Sequence, residues 1–153
     1  MKLEILAHPN TKRERISYIR KASKFFLKEL NIDTYSYKIL VLIAPHLIKN
    51  DNSNGYATKT GSREVTIVLD SSLDMVEILF TLAHEMVHAK QFVRGQYRSE
   101  KARNGRYLKY WMGKRVNVDY INQPWEREAF RRQGDLVESF VMEVSKKKAR
   151  LDK

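Results

Sequence analysis

The run LFTLAHEMVHAKQF, from Leu79 to Phe92, constrains the chain more than any other stretch. Its apolar residues, with Leu73 and Val76 just before them, describe a helix buried on nearly every side. Into that helix the sequence inserts His84, Glu85 and His88. Burying such groups without a shared partner is costly. At about 100° per residue, positions four apart stack on one face of a helix. His84 and His88 therefore project side by side, in a row that continues through Val76 and Phe80. Two imidazoles so placed can both reach one ion at about 2.0–2.1 Å. Glu85 is offset by one residue and falls beside such an ion, close to its water. That is the HExxH arrangement of two ligands and one general base. The plain alternative, satisfied histidines in an ordinary core helix, has to explain all three groups at fixed spacing. His84 and His88 are therefore read as metal ligands and Glu85 as the base. Two imidazoles and a carboxylate, with a fourth position open to water, suit a catalytic Zn2+.

The other histidines, His8 and His46, lie far upstream, and none follows His88. The third ligand is therefore expected on PWEREAFRRQGDLVESFVMEV, a helix opened by Pro124 and running to about Lys146. Its apolar face is built by Ala129, Leu136, Val137, Phe140 and Val144. Glu126 falls close to the centre of that face, in the row Glu126, Phe130, Gln133, Val137, and is the favoured ligand. Glu128 is the alternative. It points toward Arg131, Arg132 and Asp135, where the positive end of the helix suffices to explain it. Tyr120 is a candidate second electrophile for an oxyanion, set against a plainer role as a packing tyrosine near a turn.

The rest of the chain supplies a frame. Its 153 residues, 42% of them hydrophobic, suit one domain over residues 1–153. There is no cysteine, which excludes a disulfide scaffold, a thiol nucleophile and a thiolate metal site. No apolar run approaches the roughly 20 residues of a spanning helix. MKLEILAHPNTKRER has no signal-peptide core, so the expected location is cytoplasmic. A helix is expected from Thr11 to Leu30, with Thr11 and Glu14 as a capping box. Tyr37 to Ala44 reads as a buried strand, and Lys49 to Gly55 as a turn. Tyr56 to Lys59 and Glu64 to Leu69 read as a hairpin that could offer an edge to an extended peptide. Asp70, Ser71, Ser72 and Asp74 are N-cap candidates for the histidine helix, expected from Asp74 to Val93.

The net charge of +11 favours contact with a polyanion. Arg94 to Gln123 has no clean period, apart from a short hairpin turning near Gly113. Its basic part, Arg94 to Arg115, is interleaved with Tyr97, Tyr107, Tyr110 and Trp111. It is either a nucleic-acid contact or a solvated loop over the cleft. Two alternative functions follow: a zinc hydrolase acting on nucleic acid, and a basic nucleic-acid-binding module with a structural metal. Against the first, phosphodiester hydrolysis more often uses two metals and clustered carboxylates.

HEMVHAKQ (His84 to Gln91), followed by Tyr120 and PWEREA (Pro124 to Ala129), resembles the small phage and bacterial zinc metallopeptidases related to the SprT-like and minimal gluzincin families. The likeness covers about the C-terminal half. It implies an α+β, zincin-like fold: an N-terminal helix, a small mostly antiparallel sheet, the HExxH helix and a C-terminal helix carrying the third ligand. It also implies zinc-dependent hydrolysis of a protein or peptide, with His84, His88 and Glu126 as ligands and Glu85 as base. SprT-like proteins proper carry a third histidine after HExxH, and this chain has none.

Overall fold

Hydrophobic periodicity divides the chain into short β-rich runs and longer amphipathic ones, and the computed structural model, which describes residues 2–51 and 53–152, follows that division. The elements are β1 (Leu3–Ala7), α1 (Arg13–Glu29), β2 (Lys38–Ala44), α2 (Leu47–Asp51), β3 (Gly55–Gly61) and β4 (Glu64–Asp70). Then come α3 (Met75–Val93), β5 (Tyr97–Lys101), β6 (Tyr107–Trp111), β7 (Lys114–Val116), a 3-10 turn (Tyr120–Asn122) and α4 (Pro124–Leu151). The class is α+β.

The main sheet has the order β1-β2-β4-β3. β1 pairs parallel with β2, β2 parallel with β4, and only β3 runs antiparallel, to β4. The expectation of a mostly antiparallel sheet is thus corrected. Two parallel pairings cause this: LEILA of β1 pairs with β2, with α1 as the crossover, and β2 pairs with β4 with α2 and β3 between them in the chain. β4 is buried from Val65 to Asp70, whereas β2, also interior, is fully buried only at alternate residues. β3 is left at the sheet edge.

Other local expectations also shift. α1 begins at Arg13, with Lys12 at the N-cap and no side-chain cap bond, so the Thr11–Glu14 box does not form. The Thr11 amide instead donates to the His8 carbonyl in a turn. Asp74 does cap α3: its carboxylate accepts from the Glu77 amide at 2.8 Å, and the Glu77 side chain accepts from the Asp74 amide. Asp70 is buried and accepts from the amides of Ile48 and Ser72 and from the Ser72 hydroxyl, tying α2 to the turn before α3. The turn expected over Lys49 to Gly55 is helical as far as Asp51, and its Asn52 lies outside the described residues, as do Met1 and Lys153. α4 runs on to Leu151, beyond the expected Lys146.

Arg94 to Gln123 is not a loop over the cleft. It forms a second, antiparallel sheet in the order β5-β6-β7. The β6–β7 hairpin turns at Met112 and Gly113, with φ of 51° and 82°, as a two-residue primed turn demands. Buried residues of α1, α3, α4 and the main sheet join in one apolar cluster that includes Phe26, Ile39, Ile67, Leu82, Met86 and Phe140. Among the described residues, no helix is long and apolar enough to cross a membrane.

Candidate metal centre

Two close approaches build the site. The first brings β3 against α3. A Cβ on Gly55 would lie 2.6 Å from the Val68 carbonyl oxygen and 2.9 Å from Thr81 Cγ2, so only glycine fits there. The second brings the start of α4 against α3. Pro124 occupies the first turn of α4, and the buried Trp125 ring packs 4.7 Å from Tyr97 and 6.4 Å from Trp111. The β5-β6-β7 sheet thus clamps the end of α4 that carries Glu126.

The result is a tight group of donor atoms. His84 Nε2 lies 3.1 Å from Glu126 Oε2, and His88 Nε2 lies 3.1 Å from Glu126 Oε1. The two Nε2 atoms are 3.3 Å apart. Ligand atoms on a tetrahedral ion at about 2.0–2.1 Å are separated by about 3.3 Å. The three side chains fit one small divalent ion, and they are the group among the described residues spaced to hold one.

The outer nitrogens of the rings sharpen the point. His88 Nδ1 faces Gln91 Oε1 at 2.8 Å. The Gln91 amide nitrogen donates to the Trp125 carbonyl at 3.0 Å and to Glu128 Oε1 at 2.9 Å. Those two acceptors fix which end of the Gln91 amide meets His88, so His88 Nδ1 must carry the proton. Its Nε2 lone pair then aims inward. His84 Nδ1 faces Gln133 Oε1 at 2.8 Å, and with that oxygen as acceptor the same proton placement follows for His84. Two inward lone pairs and a carboxylate around one point repel unless a cation or protons lie between them.

Electrostatics agree. Burial pushes the Glu126 carboxyl up, but hydrogen bonds from His84 and then His88 prevail and hold it well below the usual carboxylate range. Burial pulls His88 down, and Glu126 and Glu85 overcome this to leave it above its ordinary value. Glu85 is 7% exposed, and burial raises its carboxyl against the pull of both histidines. Among the described residues its carboxylate has no hydrogen-bond partner, and it borders the cleft. Tyr120 donates to Glu126 Oε2 at 3.1 Å. Burial first and the Glu126 charge second push its hydroxyl up to about 12, so it stays a donor at neutral pH. Its ring is 59% exposed, at the site and not in the core.

Glu128 goes elsewhere. Its Oε2 sits 2.6 Å from Lys90 Nζ and its Oε1 accepts from Gln91. The attraction of the helix end is therefore not its explanation: it balances a lysine that is 2% exposed. Gln91, Gln133 and Lys90 had no assigned role in the sequence. Their signals were present: Gln91 is three residues after His88, Gln133 shares the Glu126 row, and Lys90 sits in an apolar helix.

The basic segment is also more engaged than its composition suggests. Arg94 donates to the Leu30 carbonyl at 2.7 Å, and Arg98 pairs with Glu100 and lies 4.2 Å over the Tyr110 ring. Tyr97 and Trp111 pack on Trp125, which leaves Tyr107, 64% exposed, as the freest of the four aromatics. No family model, curated protein or solved structure matches this chain.

Proposed function

We propose that this chain is a zinc-dependent metallopeptidase with a zincin-like arrangement of helices. The observation that carries the reading is the donor group of His84 Nε2, His88 Nε2 and the Glu126 carboxylate: Oε2 lies 3.1 Å from His84, Oε1 lies 3.1 Å from His88, and the two nitrogens are 3.3 Å apart. Zinc, when bound, supplies Lewis acidity that makes water nucleophilic near neutral pH and polarises a carbonyl. The remaining steps belong to the chain. Glu85, buried and unpartnered, takes the proton of the attacking water on its carboxylate and returns it to the leaving amine. Its raised pKa suits both transfers. Tyr120 directs a hydroxyl at the site and donates to the oxyanion as charge develops there. Gln91 and Gln133 keep the two imidazoles turned with Nε2 inward. β3, at the sheet edge beside α3, offers unpaired backbone to an extended substrate.

The readings as a nucleic-acid hydrolase or a nucleic-acid-binding module have less support. The one donor group found among the described residues suits one metal, and of the four aromatics named for stacking two pack on Trp125 and a third lies under Arg98. The test is a pair of variants read for metal and for turnover. Glu85→Gln should hold zinc stoichiometrically and lose casein or peptide cleavage by about 10²–10⁴-fold. His84→Ala should lose the metal. A Glu85→Gln protein that cleaves like the parent, or a His84→Ala protein that still holds one zinc, sinks the proposal.

A further inference from the structure

The trough beside β3 changes character along its length. At the Gly55 end it is a cavity of about 570 Å³. Val76, Phe80 and Phe130 border it and are 65%, 37% and 54% exposed. Of its two carboxylates there, Glu77 is engaged in the cap of α3 and Glu85 lies buried beside the donor group. Past the donor triangle the trough continues as two cavities of about 240 and 530 Å³. Both are bordered by Ala57, Phe92 and Tyr97, so the channel is continuous along β3. This end is cationic: Lys109 borders the nearer cavity, and Lys59 and Arg98 the farther one. Arg98 is occupied by Glu100 and Tyr110. Among the described residues, Lys59 and Lys109 have no carboxylate within ion-pair distance. Lys109 only approaches the Trp125 ring, 5.8 Å from its centroid.

We propose that this trough selects an extended peptide carrying acidic residues on the N-terminal side of the scissile bond and a bulky apolar residue on the C-terminal side. The inference rests on the peptidase reading and adds the substrate class. Its direction comes from strand pairing. A peptide that extends the sheet at the free edge of β3 in the slightly more stable antiparallel sense runs from Gly61 toward Gly55. Its first half then lies along Lys59 and Lys109, its middle at the donor triangle, and its second half against Val76, Phe80 and Phe130. The acidic half complements two unpaired ammonium groups, and the apolar half covers exposed rings.

Binding is measured with zinc-loaded Glu85→Gln protein, which separates affinity from turnover. The probes are fluorescein-labelled peptides: Glu-rich then Leu/Phe-rich, the same halves reversed, and a version with Lys replacing Glu. The first should bind about fivefold tighter than the Lys version, the sum of two rim ion pairs. Lys59→Glu with Lys109→Glu should invert that preference. Lys147→Glu with Lys148→Glu, which changes net charge equally at a distant helix end, should leave it. Equal binding of the Glu and Lys peptides overturns the proposal, as does equal loss in both double variants. Tighter binding of the reversed peptide overturns its direction. Parent enzyme completes the test. Preferred binding with no cleavage refutes the peptidase reading and spares the trough, whereas cleavage without preference refutes the trough alone.

Discussion

Gln91→Leu tests whether the triangle is held from behind. The side chain is fully buried and makes three hydrogen bonds: from His88 Nδ1 at 2.8 Å, to the Trp125 carbonyl at 3.0 Å and to Glu128 at 2.9 Å. Leucine fills nearly the same space and makes none. Two neutral bonds at about 1 kcal/mol and one to a carboxylate at about 2 kcal/mol give a gross loss near 4 kcal/mol. The apolar atoms that leucine buries return part of this, at about 0.8 kcal/mol per methylene, so a net cost of about 2–4 kcal/mol is expected. For a chain of this size that lowers Tm by about 5–15 °C. The sharper effect falls on the metal. Without Gln91, His88 is free to place its proton on Nε2, where it blocks coordination. Losing such an outer partner lowers metal affinity by about 10–100-fold, or about 1.4–2.7 kcal/mol. Competition with a chromogenic chelator measures affinity, and urea melts of metal-free protein measure stability separately. A variant that melts as a folded protein and keeps zinc affinity within about twofold of the parent would refute the claim that Gln91 sets the imidazole.

Glu126→Gln and Glu128→Gln should part company. The first loses stoichiometric zinc and stays folded; the second strands the Lys90 ammonium and costs about 3–5 kcal/mol, read by denaturant melts. In metal-free protein the Glu126–His88 pair gives a pH signature. Glu126 is held below its ordinary 4.5, so its share of stability is present above that value and fades as pH falls through the depressed one. His88 is held above its ordinary 6.5, so its share is full below that value and fades as pH rises through the raised one. With chelator, the contribution of the pair should peak between pH 4.5 and 6.5 and decline above. With zinc, stabilisation should instead grow above that window, because the metal competes with protons. Glu85 has a raised carboxyl, so its ionisation weakens the fold as pH rises above its ordinary 4.5. Glu85→Gln should therefore raise the Tm of metal-free protein at neutral pH, and an unchanged or lower Tm contradicts the assignment.

The elements legible in the sequence were those whose signal is local. α3 starts where Asp74 and Glu77 form their box, and the β6–β7 turn falls at Gly113 as expected. Glu126, placed on the inner face by periodicity alone, lies within 3.1 Å of both histidines. Thr11 and Glu14 show how local chemistry can mislead. Their spacing makes a box, but the turn that joins β1 to α1 uses the Thr11 amide for another bond. β1 and β5 were not legible for a deeper reason. Five-residue strands owe their existence to partners, β2 for the one and β6 for the other, and pairing is not written in a strand's own residues.

The same distinction governs the site. A ligand can be guessed from one helix, because spacing of four fixes a face. What orients a ligand is relational. Glu128 read as an exposed first-turn acid, since periodicity turns it away from the apolar face of its own helix. Lys90 and Gln91 come from α3 to meet it there. One carboxylate thereby neutralises a buried lysine and orders the glutamine that turns His88. The two glutamates of WERE divide the labour between nearly opposite sides of the first turn of α4: Glu126 closes the donor group, and Glu128 anchors the scaffold behind it. Exchanging their roles would need a rotation of α4 by about 160–200°, which the clamp of Trp125 between Tyr97 and Trp111 forbids. On the proposed reading, an aromatic contact outside the site thus decides which glutamate is the third donor, and Trp125→Ala should weaken zinc binding before it unfolds the chain.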